Sequence, residues 1–137
     1  MPVDVGEPVW QDLESPRDLT GDERRLLELL VGVVGEPALQ RQLDAAVVTA
    51  RCCCGCSSVR LHSTEPPVAE GRVRRLSGLD RSDHFSVDAR SRAPGLPDVH
   101  VVLHVVQGRV EELELFAGEG IAVPLADLAD ATGVTVA

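Results

Sequence analysis

The stretch Val99-His100-Val101-Val102-Leu103-His104-Val105-Val106-Gln107-Gly108-Arg109-Val110-Glu111-Glu112-Leu113-Glu114-Leu115-Phe116 decides how this chain folds. β-Branched and apolar residues alternate with histidine and glutamate on both sides of Gln107-Gly108. That pattern predicts an antiparallel hairpin with one face in a core. Its register depends on which side the glutamates take. A two-residue turn would put Glu112 and Glu114 on the face of Val101, Leu103 and Val105. A three-residue loop aligns those three residues with Leu113 and Leu115 and turns Glu112 and Glu114 outward beside His104 and Val102. The second arrangement segregates polar from apolar, so a three-residue loop is expected. His100 and His104 then share the outer face, but their Cα atoms are about 13 Å apart along the strand, too far to bind one metal ion. Each reads as an outer-face histidine, with His104 next to Glu112.

Working outward, the next β signal surrounds Cys52-Cys53-Cys54-Gly55-Cys56, which holds all four cysteines of the chain. A hairpin turning at Cys54-Gly55 puts Val48, Ala50, Cys52, Ser57, Val59 and Leu61 on an apolar face. Val47, Thr49, Arg51, Cys53, Cys56, Ser58, Arg60 and His62 fall on a polar one. In this register Cys53 faces Cys56 on the solvent side. Zinc is the one cofactor to weigh at the tip, with Cys53, Cys54 and Cys56 as candidate ligands. A closed zinc site draws ligands from two separated segments, however, and no second cysteine pair exists. A Cys53–Cys56 disulfide would be strained, because opposed Cβ atoms lie about 4.5–5.5 Å apart where a relaxed bridge wants about 3.5–4.5 Å. A nucleophilic thiol helped by Arg51, Arg60 or His62 is a third reading. Reduced cysteines packing a tight turn lead the field.

Two helices precede this hairpin. Thr20 and Glu23 form a capping box, after which Leu26, Leu29, Leu30, Val33 and Val34 follow helical spacing. Gly35 closes this helix and Pro37 opens a second, with Leu39, Leu43, Ala46 and Val47 as its apolar stripe. Gln40, Arg41, Gln42 and Asp44 lack the basic companions of a DNA-reading helix. Residues 72–76 are expected as a short strand with Val73 inward, and Phe85, Val87 and Ala89 as the core face of another. Near the C-terminal end, Ile121 and Val123 suggest a last strand, and Leu125 and Leu128 a helical turn that covers the sheet edge.

The chain of 137 residues has 44% hydrophobic and 26% charged residues and a net charge of −9. Such an acidic balance argues against a nucleic-acid partner, which needs a concentrated basic surface. All 13 basic residues are arginine, and the three aromatics are Trp10, Phe85 and Phe116, so Val, Leu and Ala must build the core. No segment is long and apolar enough to suggest a membrane span, and the acidic N-terminal residues do not read as a secretory signal. A cytoplasmic location is therefore expected.

With these motifs in place, the chain resembles a group of small, uncharacterised bacterial proteins. The likeness rests on Leu19-Thr20 at the first helix, on Cys52, Cys54, Gly55, Cys56 and Ser58, and on Gly108, Glu112, Leu113 and Glu114. It spans about residues 19–125 and brings no activity with it. It implies that Cys53 occupies a variable position and that Cys54 and Cys56 are the pair to watch. The expected fold is α+β, two N-terminal helices packed on an antiparallel, meander-like sheet of about five strands. Residues 1–18 are expected as a flexible arm and 19–137 as a single domain. The function expected is a non-enzymatic binding or interaction protein, immunity-like or regulatory, since no acid–base or nucleophile–base constellation can be assembled. His104, Glu112 and Glu114 would form its interaction surface, a basic protein its partner, and a sheet edge the seam of a homodimer. The alternative is a metal-binding or redox-responsive thiol protein using residues 52–56.

Overall fold

The computed structural model describes residues 10–53, 56–78 and 81–137. The described residues fold as α+β, with three helices against one face of a seven-stranded antiparallel sheet. The strands are β1 (Trp10–Asp18), β2 (Val47–Cys52), β3 (Val59–His62), β4 (His84–Ser91), β5 (Val99–Val106), β6 (Arg109–Phe116) and β7 (Thr132–Val136). They lie in the order β1-β2-β3-β6-β5-β4-β7, two three-stranded meanders joined through β3 and β6, with β7 added at the outer edge of β4.

Helix α1 (Gly21–Val34) starts at the expected capping box: Thr20 Oγ1 accepts the Glu23 N–H, and Glu23 Oε1 accepts the Thr20 N–H. It ends at Gly35, whose φ of 69° is the left-handed conformation that glycine adopts at least cost. Pro37 opens α2 (Pro37–Asp44). Leu27, Leu30, Leu39 and Leu43 are fully buried and join Phe85, Val87, Val101, Leu103, Leu113 and Leu115 in one core.

Three elements differ from the sequence reading. Residues 10–18, expected within an arm, pair with β2 as an edge strand that shifts register between Asp12 and Arg17. Trp10 lies over Arg60, with the guanidinium carbon 4.5 Å from the ring centre, a cation–π contact. The supposed strand at 72–76 is part of helix α3 (Glu70–Leu76). Val73 is its one buried residue, as expected, and the arginines around it are good helix formers with no second apolar row to hold a strand. Arg72 is bound to Glu36 at 2.9 Å. Towards the C-terminus, the helical turn at Leu125–Asp127 precedes the last strand, which lies at residues 132–136 beside β4.

The central hairpin reaches the expected alignment by another route. Gln107 and Gly108 have φ of 54° and 76°, a two-residue turn with both central residues in the left-handed region. Val106 pairs with Arg109 and Val105 with Val110, and then the register shifts so that His104 pairs with Glu112 and Leu103 with Leu113. One extra residue, Glu111, forms a β-bulge that moves the glutamates outward. A buried amide from α2 holds this corner. The Gln42 side-chain amide donates to the carbonyls of Gly108 (2.9 Å) and Pro66 (3.2 Å), and its oxygen accepts the Val110 N–H (2.9 Å). A Cβ on Gly108 would stand 2.5 Å from the Val68 carbonyl oxygen.

Gln42→Ala removes three hydrogen bonds inside the core and strands the Val110 N–H, so it should lower unfolding free energy by about 2–4 kcal/mol in denaturant titration. A second expected outcome concerns the buried Glu23. Burial pushes its carboxyl up, but the hydrogen bonds from Arg17 and the Thr20 N–H outweigh this and hold it below the ordinary value. Glu23 therefore adds stability above the unfolded carboxylate pKa of about 4.3 and loses it as pH falls through the lowered folded value. Glu23→Gln should cost about 1–2 kcal/mol at neutral pH, a range that allows for the partly solvated Arg17. The variant should also show a shallower loss of stability on acidification.

Candidate functional site

The helices bury one face of the sheet, and side chains on the other remain half or fully exposed. Alternation along β3, β6, β5 and β4 sets a row of outward residues side by side: Arg60, Glu112, His104 and Ser86. The next row carries Glu114, Val102 and Asp88. Within this surface the ligand atoms of His104, Glu112 and Glu114 all lie within 4.8 Å of one another. It is the group of three or more metal-binding side chains that the described residues bring so close.

His104 stands at the centre. Its Nε2 is 2.8 Å from Glu114 Oε1, and its Nδ1 is 3.4 Å from Nε2 of His84, whose ring centre is 5.7 Å away. The hydrogen bond to Glu114 raises the His104 pKa against the effect of burial. The same bond lowers that of Glu114. His84 is pushed down, first by burial and then by the neighbouring His104. Glu112 is pushed up, first by burial; His104 and Arg60 act in the opposite sense, and Glu114 adds to the rise. Among the described residues no side chain donates a hydrogen bond to the Glu112 carboxylate, which sits half-buried beside a second negative charge.

The structure thus brings the side chains of His104, Glu112 and Glu114 together, although the hydrogen bond runs to Glu114 while Glu112 is the residue paired across the strands. His100 is exposed opposite Phe116 and outside the group, in line with its distance from His104 along β5. Sequence reasoning weighed His84 only as a remaining zinc ligand for the cysteines and did not place it beside His104. Its signal was the outward alternation of His84, Ser86 and Asp88, but that pattern does not tell which strand lies beside β4.

The cysteine tip is arranged differently from the expected two-residue hairpin. Cys54 and Gly55, the proposed turn, lie outside the described residues. The β2–β3 register shifts between Val48 and Ala50, and the Cys52 N–H donates to the Ser58 carbonyl at 3.0 Å. With that pairing Cys53 and Cys56 cannot stand opposite each other. Cys53 is exposed and 3.8 Å from Gln11 Oε1, whereas Cys56, expected to face solvent, is buried. Its Sγ is 3.2 Å from Ser58 Oγ, and that hydroxyl accepts the Leu115 N–H at 2.9 Å and donates to the Leu115 carbonyl. Ser57, at a φ of 69°, donates to the Val123 carbonyl. Cys56-Ser57-Ser58 therefore anchors the tip to β6 and the following loop. Cys53 and Cys56 are both thiols.

A cleft of about 390 Å³ lies beside the tip, lined by Arg17, Glu23, Arg51, Cys52 and Ser57 among others. Arg17 and Glu23 neutralise each other there, and Arg51 donates a hydrogen bond to Gln11 Oε1. No helix of the described residues is long and apolar enough to cross a membrane. No family model matches this chain, and no curated protein or solved structure matches it.

Exposure sets an order of thiol reactivity that peptide mapping can read. Under native conditions, iodoacetamide should modify Cys53 well before Cys56, and the gap should close on unfolding.

Proposed function

We propose that this chain is a non-enzymatic binding protein whose working surface is the uncovered face of its sheet. Its contact centre is His104, Glu112 and Glu114, and the group it accepts is positively charged. The observation that carries this reading is the position of Glu112. A half-buried carboxylate with no donor, placed next to a second carboxylate at the middle of an open sheet face, is an electrostatic cost to the free protein. A bound cation relieves both the desolvation and the repulsion. Solvated surface acids, such as Glu28 on α1, meet no such cost, because water already surrounds them. The protein's own positive charge offsets this cost only in part, through His104 and through Arg60, which pairs with Glu112 across the strands and lies against Trp10. The thiols of Cys53 and Cys56 suit a reducing compartment, which supports the expected cytoplasmic location.

A nuclear magnetic resonance titration tests the surface. With zinc ions and an arginine-rich peptide as separate cationic probes, shifts produced by a binding probe should centre on Val102, His104, Glu112 and Glu114. Shifts spread over Asp22, Glu28 and Asp44 of the helices would contradict the reading, as would no response to either probe. Glu112→Gln carries a further expectation from the same cost. It should raise the melting temperature by about 1–3 °C, a small gain because the group is partly solvated, while weakening cation binding. A fall of several degrees would instead make Glu112 a structural residue.

A further inference from the structure

We infer that His104, Glu112 and Glu114 form a binding site for a divalent transition-metal ion on the open face of the sheet, with zinc as the reference ion and His84 as the residue that orients the histidine ligand. The inference rests on the reading of this cluster as a cation-accepting centre and names the cation.

Geometry is the first argument. A metal ion bound by imidazole nitrogen and carboxylate oxygen stands about 2.0–2.2 Å from each donor, so donors around a tetrahedral ion are roughly 3.3–3.6 Å apart. The three donor atoms here lie within 4.8 Å of one another, and His104 Nε2 is already 2.8 Å from Glu114 Oε1. Rotation about glutamate side-chain bonds closes the remaining gap without moving the backbone. All three residues project from β5 and β6, which pair with each other from His100 to Val106, and this keeps the donor set rigid.

Chemistry is the second. The donor set is one imidazole and two carboxylates, whose charges balance a divalent ion. Magnesium and calcium prefer all-oxygen sites, so the imidazole favours zinc and the neighbouring divalent transition metals. A lysine or arginine side chain from a partner would satisfy the carboxylates but would gain little from the imidazole. With His104 and two glutamates as protein ligands, the solvent-facing side of the ion remains for water or an outside ligand.

The third argument is the support behind the ligand. Metal-binding histidines characteristically make a hydrogen bond through their second ring nitrogen, which fixes tautomer and ring orientation. His84 stands 3.4 Å from His104 Nδ1, which leaves Nε2 to face Glu114. The cysteine tip offers no comparable convergence among the described residues, since Cys53 is exposed and Cys56 is bound to Ser58 in the interior.

The test uses the full chain stripped with chelator, and titrates zinc by calorimetry and cobalt by absorption spectroscopy. One ion per chain is expected, with cobalt giving visible d–d bands and no thiolate charge-transfer band in the near ultraviolet. Glu112→Gln, Glu114→Gln and His104→Gln should each weaken zinc roughly 100-fold, while Cys53→Ser leaves the affinity unchanged. His84→Gln should weaken it about tenfold as a positioning residue. Its cobalt bands should shift while the stoichiometry stays at one, which a loss of folding would not produce. In unmodified protein, zinc should perturb the His104 ring resonances first, a readout independent of any variant. A thiolate band, or zinc affinity indifferent to Glu114→Gln, would overturn the inference. So would an arginine-rich peptide that binds at Glu112 and Glu114 where zinc and cobalt do not, and this result would leave the cation-accepting surface standing. Loss of neither probe in the double variant Glu112→Gln/Glu114→Gln would bring down both.

Discussion

The side-chain amide of Gln42 ties the helical layer to the corner of the sheet on which the outer face depends. It is completely buried, and it spends both its carbonyl and its amino group on the backbone of the central hairpin and the Pro66 loop. A buried amide left half satisfied would be costly, so the bonds hold α2, the Gly108 turn and Val110 in one arrangement. The bulge at Glu111 follows within two residues of that clamp. Beyond the bulge, Leu113 and Leu115 face the core and Glu112 and Glu114 face outward. The acid pair on the open face is thus a consequence of a packing decision made on the other side of the sheet.

The same logic separates the two polar clusters of the molecule. At the cysteine tip, Ser57 and Ser58 direct their hydroxyls at backbone groups of neighbouring segments, and Cys56 packs in behind them. Both serine hydroxyls have a backbone partner, which is the mark of a corner built for stability. Around His104 the balance differs. Glu114 is bonded, His84 backs the imidazole, and Glu112 is held up mainly by burial, which His104 and Arg60 offset only in part. Proteins tolerate such local cost where a ligand relieves it.

Much of the fold was legible because it depends on short-range rules. Thr20, Glu23, Gly35 and Pro37 mark helix ends by their own chemistry, and alternation from Val99 to Phe116 sorts inner from outer residues. The alignment of Leu103 with Leu113 was readable from burial alone, although the turn and bulge that produce it were not, since a three-residue loop gives the same segregation. What escaped depends on long-range contacts. Strand β1 is polar and becomes a strand only because β2 offers an edge, and α3 has a single buried residue to betray it. Gln42 looked like a surface residue beside Gln40 and Arg41. The pairing of β4 with β5, which brings His84 to His104, joins segments whose order in the sheet local pattern does not encode.

The most direct test of this account is a map of cross-strand nuclear Overhauser contacts in the β5–β6 hairpin. The account predicts Val105 opposite Val110 together with Leu103 opposite Leu113, a register that changes by one residue at Glu111. An unbroken register that places Leu103 opposite Glu112 would turn the glutamates inward, and the acid pair and everything built on it would be lost.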